Sequence, residues 1–217
     1  IYGNARELVA AGLANAKPVR TVALERGDKG LWEATVPGDL HLTAYRYRFH
    51  SYGKDREVPD IHTFGATYDS SFSVVLDLAR TQPPEWGTVP QPRLARPTDE
   101  ILYEVHVRDF SIRDASVPDK LKGTYLALAR ENPASGPTTS TGLSHLRDLG
   151  VTGVHLLPIH DFTAGIGEYN WGYWTALFNV PEANYATDPR DPAAAPLELR
   201  AAIQGLHRAG IRVILDV

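Results

Sequence analysis

The stretch TGLSHLRDLGVTGVHLLPIHDF, Thr141 to Phe162, decides the fold, because it runs an amphipathic helix into an apolar strand with one glycine between them. Leu143, Leu146 and Leu149 recur at helical spacing within Thr141–Gly150, giving that helix one apolar face, and Gly150 is placed to end it. Val151–Phe162 then reads as a strand. The pair recurs downstream: PLELRAAIQGLHRAG (Pro196–Gly210) aligns Leu199, Ile203, Leu206 and His207 on a helical face, and IRVILDV (Ile211–Val217) follows as a strand. Upstream, ILYEVHVRDF (Ile101–Phe110) is a further strand. Strands alternating with glycine-terminated helices are the pattern of βα units around a parallel sheet.

Three strands and two helices neither close a barrel nor cover both faces of a doubly wound sheet. The sequence therefore points to the first three βα units of a (β/α)8 TIM barrel or to a Rossmann-type sheet, continuing beyond Val217. A Rossmann sheet wants a glycine-rich turn after its first strand, where this chain reads Asp109-Phe110-Ser111, so the barrel is favoured. The chain opens on Ile1 rather than Met and ends in an apolar run, so both ends are read as truncated, and no localisation is assigned.

The region before these units has a different grammar. VRTVALE, LWEATVPG, AYRYRFHSYG and SFSVVLDL are short alternating runs separated by Gly, Asp and Pro, the pattern of a β-sandwich. Tyr45, Tyr47 and Phe49 fall on one strand face, with Arg46, Arg48 and His50 on the other. Leu8–Ala16 suits either a short helix or a frayed strand. TQPPEWGTVPQPRLARPTD (Thr81–Asp99) carries five prolines and is read as a linker, with Trp86 as a plug between domains. The expected domains are thus a sandwich at 1–80, a linker at 81–99 and the barrel portion at 100–217.

Composition narrows the partners. A net charge of -4 with scattered Lys and Arg offers no basic stripe for a nucleic acid or an anionic membrane, and no apolar run approaches the roughly 20 residues of a membrane span. With no cysteine, disulfides and thiolate metal sites are ruled out within the chain.

In a barrel the loops at the C-terminal ends of the strands build the site, which directs attention to Arg108–Phe110, Pro158–Ala164 and Asp216. The connection from about His160 to Ala195 is far longer than a usual βα loop and contains EYNWGYW (Glu168–Trp174). Aromatic rings beside amides suit a saccharide, whose flat CH faces stack while its hydroxyls take polar partners; equally, the aromatics could pack down their own loop. Glu104, His106 and Arg108 alternate on the first strand and are read as an ion-paired supporting stripe. Asp161, at the top of the second strand, is expected to accept hydrogen bonds in support of the site. His155, His160 and Asp161 match no metal signature closely, and Asp188–Pro192 is a turn before it is a calcium site.

Several blocks in order, LYEVHVRDFSI, KGTYLAL, GLSHLRDLGVTGVHLLPIHDF, EYNWGYW, FNVPEANYATDP and LHRAGIRVILDV, resemble the type I pullulanases of glycoside hydrolase family 13. GLWEATVPGD and the stretch to LDLARTQPPEW are similar to the carbohydrate-binding module of family 48 that precedes such barrels. The resemblance implies retaining hydrolysis of α-1,6-glucosidic branch points in a branched α-glucan. Its nucleophile and acid would lie after the fourth and fifth barrel strands, outside this chain. It implies that Tyr173 stacks under the sugar being cleaved, that Asp216 supports the site from beneath, and that Trp171 and Asn170 shape substrate subsites or only the loop. No cofactor is implied, with calcium left open for the complete enzyme. Trp174 and Thr175 stand where the family usually has Asp-Pro, a form shared with many α-amylases, so isoamylase, branching enzyme and α-amylase-like members are the nearby alternatives. A non-catalytic glucan-binding protein using Trp32, Tyr45, Tyr47 or Tyr52 is the alternative of another class.

Overall fold

The computed structural model describes residues 1–132 and 140–217. In the N-terminal part, β1 (Gly3–Asn4) leads into α1 (Ala5–Ala11), whose first turn is capped by the Asn4 side chain accepting from the Arg6 N–H. The open choice over Leu8–Ala16 is thereby settled: a helix to Ala11, then a 3-10 turn at Leu13–Asn15. β2 (Glu25–Arg26) and β3 (Trp32–Glu33) form one hairpin. β4 (Thr43–Tyr45) is followed by a second hairpin, β5 (Tyr47–Ser51) and β6 (Lys54–Val58). β7 (Ser73–Val74) and β1 flank β4 in an antiparallel sheet.

This part is antiparallel β, as its alternation predicts, but its strands are shorter than the sequence runs. Val19–Leu24 forms no strand, and the Tyr45–Phe49 run is broken at Arg46, so Tyr45 belongs to the sheet while Tyr47 and Phe49 sit on an outlying hairpin with large exposed faces. A two-stranded hairpin has no second layer to cover its apolar face. The core is instead built by α1 against the sheet, from Tyr2, Ala5, Leu42, Ala44, Phe72 and Val74.

The C-terminal part holds the predicted parallel sheet. β8 (Leu102–Val105) leads through α2 (Tyr125–Leu128), β9 (Glu131–Asn132) and α3 (Gly142–Asp148) to β10 (Gly153–Leu156), which lies parallel to it. β11 (His160–Phe162) and β12 (Thr175–Pro181) make an antiparallel excursion before α4 (Ala194–Arg208) returns the chain to β13 (Arg212–Leu215), parallel to β10 on its other side. Each parallel strand is thus laid beside its predecessor, in the order β13-β10-β8. Gly150 (φ 71) and Gly210 (φ 78) take the left-handed conformation after α3 and α4, as expected of helix-ending glycines. Leu143 and Leu146 are buried with Leu199, Leu206 and Val154, whereas Leu149 is exposed because it falls past the last turn of α3.

Two expected strands are corrected. Ile101–Phe110 is extended only to Val105; beyond it the Phe110 and Ile112 N–H groups donate to the carbonyls of His106 and Arg108, winding the chain into a helical turn. Val151–Phe162 is two strands, β10 and β11. Leu157 makes the last bond to Val105 of the parallel sheet, and Pro158, with no N–H to offer, marks the break after which β11 pairs with β12 instead.

The proline-rich Thr81–Asp99 segment is strapped to one face of α4. Arg200, Gln204 and Arg208 lie one turn apart, hence on one side of the helix. The Arg200 Nη1 donates to the carbonyls of Leu78 and Thr81, each at 2.9 Å, and to the Thr81 hydroxyl. Gln204 Nε2 donates to the Pro84 carbonyl at 3.0 Å, and Arg208 pairs with Glu85 at 2.7 Å. The Arg200 guanidinium lies over the Trp86 ring, 5.8 Å from its centroid, so Trp86 meets α4. Near the other end of α4, Arg6 of α1 makes a bidentate pair with Asp191 at 2.9 and 2.7 Å, and Ala193 packs against the N-terminal core.

Burial disfavours the charged guanidinium of Arg200 and lowers its pKa. Its carbonyl partners offset that cost, and removing it leaves them unmet. In the complete protein, Arg200→Ala is expected to lower unfolding free energy by about 2 kcal/mol, read by denaturant titration, with Arg208→Ala costing under about 1 kcal/mol because that pair is exposed.

Candidate saccharide-binding site

The long excursion after β10 folds back so that its aromatic tip meets the end of β13. The Tyr173 hydroxyl donates to Asp216 Oδ2 at 2.7 Å, and the Asp216 N–H is in turn fixed to the Leu156 carbonyl at 3.0 Å. Asp216 thus sits at the C-terminal end of the parallel sheet, where the sequence places it, and holds Tyr173 by its phenol. The acceptor raises the Tyr173 pKa, keeping the phenol protonated as the donor. Its ring is 57% exposed. Tyr173, Trp174 and Phe178 line an open cleft of about 410 Å³ together with Pro158, Thr175 and Val217.

Asn170 anchors the loop twice. Its side-chain Oδ1 accepts from the Gly172 N–H at 2.8 Å, and its backbone carbonyl accepts from His106 Nε2 at 2.9 Å. His106 Nδ1 accepts the Asp109 N–H at 3.2 Å, which leaves Nε2 as the nitrogen carrying the proton toward Asn170. The Tyr185 hydroxyl joins the same point, 3.2 Å from His106 Nε2 and 3.5 Å from the Asn170 carbonyl. Burial, then the nearby Glu182 and Asp109, push the Tyr185 phenol well above its usual range, so it too is fixed as a donor.

Gly172 has φ 90, and a Cβ there would stand 2.3 Å from the Pro158 carbonyl oxygen. The residue before Tyr173 can therefore only be glycine if the loop is to cross Pro158 this closely. On the outer side, the Tyr169 hydroxyl donates to Asp109 Oδ2 at 2.8 Å, and the Arg108 guanidinium lies 5.4 Å from the Tyr169 ring. Glu168 is spent on the loop itself, accepting from the Gly165 N–H at 2.8 Å.

Of the residues singled out in the sequence, the fold brings together Tyr173, Asp216, Asn170 and His106. Trp171 lies on the same loop with its ring exposed. The supposed stripe of Glu104, His106 and Arg108 does not exist, because the strand ends at Val105: Glu104 is 3.9 Å from His155, His106 turns inward to Asn170, and Arg108 turns to Tyr169. Asp161 is not at this site. It is buried facing Ser70, Asp69 and Glu182, and its Oδ2 has no hydrogen-bond partner. In Asp188–Pro192, Asp188 caps a turn through the Arg190 N–H, while Asp191 caps the next through Ala193 and pairs with Arg6. Among the described residues, no group of three or more His, Asp or Glu side chains is placed to hold a metal.

Two contributors, Tyr185 and Glu182, were given no role by the sequence reading, and Asp109 and Gly172 were included only as members of the Arg108–Phe110 and Glu168–Trp174 segments. Glu182 is wholly buried and accepts from the Phe162 N–H at 3.0 Å and from the Asn184 N–H and Nδ2 at 2.8 and 2.9 Å. Burial raises its pKa and those three donors oppose the shift. A glycine immediately before an exposed tyrosine was the one local signal available; the others are meetings of distant segments.

Residues 3–61 match the model of carbohydrate-binding module 48, the isoamylase N-terminal domain. The chain is 39% identical over 207 residues to a pullulanase of Bacillus subtilis strain 168, covering 93% of this chain and 28% of that protein. It is 32% identical over 186 residues to the chloroplastic pullulanase 1 of Arabidopsis thaliana, covering 68% of this chain and 18% of the relative. Among solved structures it resembles the pullulanase of Paenibacillus barengoltzii in complex with maltohexaose and α-cyclodextrin, with a TM-score of 0.88 and 39% identity over 94% of this chain and 32% of that one. By sequence and fold the chain belongs with the pullulanases, spanning less than a third of the length of these relatives and carrying a family-48 carbohydrate-binding module.

Proposed function

We propose that the complete protein hydrolyses α-1,6-glucosidic linkages in pullulan, amylopectin or limit dextrins with retention of configuration. The observation that carries this reading is the Tyr173–Asp216 pair: an exposed aromatic face, fixed through its hydroxyl at the C-terminal end of a parallel strand, beside an open cleft. A glucosyl ring presents an apolar CH face to such a ring and hydroxyls to the polar groups around it. Two related structures, one pullulanase in complex with maltohexaose and α-cyclodextrin and another complexed with maltotetraose, support an α-glucan as the ligand.

In this reading the parallel strands are the first three of an eight-stranded (β/α)8 barrel, supported by their sequential order, and 1–80, 81–99 and 100–217 are the module, the linker and the barrel portion. Tyr173 stacks beneath the glucosyl unit, Asp216 orients it, Asn170 and Trp171 shape the subsite, and His106 locks Asn170. The nucleophile and the acid, a pair roughly 5 Å apart in retaining enzymes, are assigned to none of these residues.

Trp174 and Thr175 bear on which linkage is cut. Pullulan separates the possibilities: a pullulanase releases maltotriose from it, and an isoamylase leaves it almost untouched. A second reading, glucan binding without catalysis, is favoured by Trp32 and Tyr52, 57% and 96% exposed on the two hairpins of the family-48 module. On that reading the complete protein binds amylopectin, Trp32→Ala abolishes the binding at unchanged Tm, and pullulan is left intact.

Tyr173→Ala in the complete enzyme is expected to lower kcat on pullulan by about 100-fold or more, because it removes the surface that orients the reacting sugar. Near-normal kinetics would assign the ring to packing alone. Gly172→Ala should cost as much activity while leaving Tyr173 in place chemically, since the added methyl forces the loop off Pro158. Retained turnover in that variant would show that the close crossing is unnecessary.

A further inference from the structure

Residues 63–73, which directly follow the segment matching the family-48 module and fall within the 1–80 module of the proposed reading, form a tight turn against the β11–β12 hairpin. The turn is braced from within: the Thr67 N–H donates to the Phe72 carbonyl at 3.0 Å, the Phe72 N–H to Thr67 Oγ1 at 3.1 Å, and the Thr67 and Ser71 hydroxyls each to Asp69 Oδ1 at 2.7 Å. Ala66 is buried with Leu177 and Val180 of β12. Ser70, at the tip, holds φ 58, a conformation costing a non-glycine residue about 1 kcal/mol, and its buried hydroxyl has no hydrogen-bond partner. Across the seam stands Asp161 of β11, 1% exposed, with Oδ2 likewise unpartnered.

Ser70 Oγ and Asp161 Oδ2 make no fully formed hydrogen bond, yet they face each other across the seam, near enough for the hydroxyl to favour the ionised carboxyl, and buried polar groups left this incompletely paired are costly. The surroundings of Asp161 are one-sided. Burial, then Glu182 after β12 and Asp69 in the turn, push its pKa up to about 7, and the Ser70 hydroxyl alone opposes them. On its own strand, His160 has its Nε2 buried without a partner and its ring 5.7 Å from that of Phe178. No Lys or Arg is among these neighbours. Because the folded state holds this proton more tightly than the unfolded chain, the stability contributed here falls as pH rises from about 4 to about 7 and is level above that.

We propose that Asp161 and Ser70 are positioning residues through which the family-48 module braces the strand behind Tyr173, in a seam that is tight while Asp161 is protonated and loosens when it ionises. β12 begins at Thr175, two residues after Tyr173, and pairs with β11 at Asp161↔Leu177 and Phe162↔Thr175. A shift of Asp161 toward water therefore displaces the strand that carries Tyr173 at its head. Neutral, the carboxyl rests in the seam. Ionised, it lacks solvent and faces two further carboxylates. The activity consequence rests on the proposed role of Tyr173; the seam itself does not.

The test is hydrogen exchange of the 175–180 amides in the complete protein, corrected for intrinsic rates, between about pH 6 and about pH 8. Protection in the wild type is expected to fall about tenfold across that interval and to stay level in Asp161→Asn, which keeps the shape and cannot ionise. Ser70→Gly adopts φ 58 without strain and loses the hydroxyl that favours the carboxylate, so its transition moves to higher pH and keeps the idea testable if Asp161→Asn does not fold. On pullulan, KM of the wild type rises several-fold over the same interval and that of Asp161→Asn does not. An identical loss of protection in wild type and Asp161→Asn, or an unmoved transition in Ser70→Gly, overturns the proposal. A protein inert on pullulan but showing the exchange pattern overturns the functional reading and leaves the seam standing.

Discussion

The buried carboxylate of Glu182 is the constraint on which the excursion after the second parallel strand depends. With no water to solvate it, it is held only by the N–H groups it gathers, those of Phe162 at the end of β11 and Asn184 after β12, with the Asn184 side chain as a third donor. Those bonds bring together residues 20 apart in the chain, on either side of the β11–β12 loop and β12. They also place Tyr185 where its hydroxyl reaches His106 and the Asn170 carbonyl. Tyr125, fully buried, closes the cage by donating to the Glu182 backbone carbonyl at 3.2 Å. A buried acceptor stripped of any one donor costs about 1–3 kcal/mol, so the network tolerates little rearrangement.

From that anchor the loop is delivered to the end of the sheet by backbone rather than by side-chain recognition. The Asn170 carbonyl is caught by His106, Gly172 crosses the Pro158 carbonyl closer than any side chain allows, and only then does Tyr173 reach Asp216. The exposed rings of Trp171, Tyr173 and Trp174 are thus apolar surface left outward by a scaffold whose polar groups are already satisfied. Such rings cost solvation, and a stacking ligand relieves that cost.

Much of the fold was legible. The helical spacing of leucines, the glycines at Gly150 and Gly210 and the apolar runs after them identified α3, α4, β10 and β13, because a helix or strand that buries one face writes its period into the sequence. Strand ends were less legible. The ladder stops at Val105 because a helical turn follows, in which the Asp109 N–H donates to His106 Nδ1, a turn that the alternation of the run does not announce, and only Pro158 hinted that the second strand breaks. In the N-terminal part the alternation of Tyr45, Tyr47 and Phe49 correctly indicated strands, yet one of the three joined the sheet and two were left on an outlying hairpin, a choice made by which layer was available to cover them.

The sequence by itself determined the parallel βα pattern, because that rests on periodicity, and it set aromatic and amide groups together in one loop; Tyr173 and Asp216 were singled out through the resemblance to the pullulanases, and their meeting across 43 residues was decided by the fold. Only the tertiary structure decided that Asp161 faces Ser70 instead of that site, that Glu182 organises the loop, and that Arg200 straps the proline-rich segment to α4. Each of these is a contact between segments about twenty to a hundred or more residues apart. Partners so distant leave no spacing to read, and burial alone selects which polar groups must find one another.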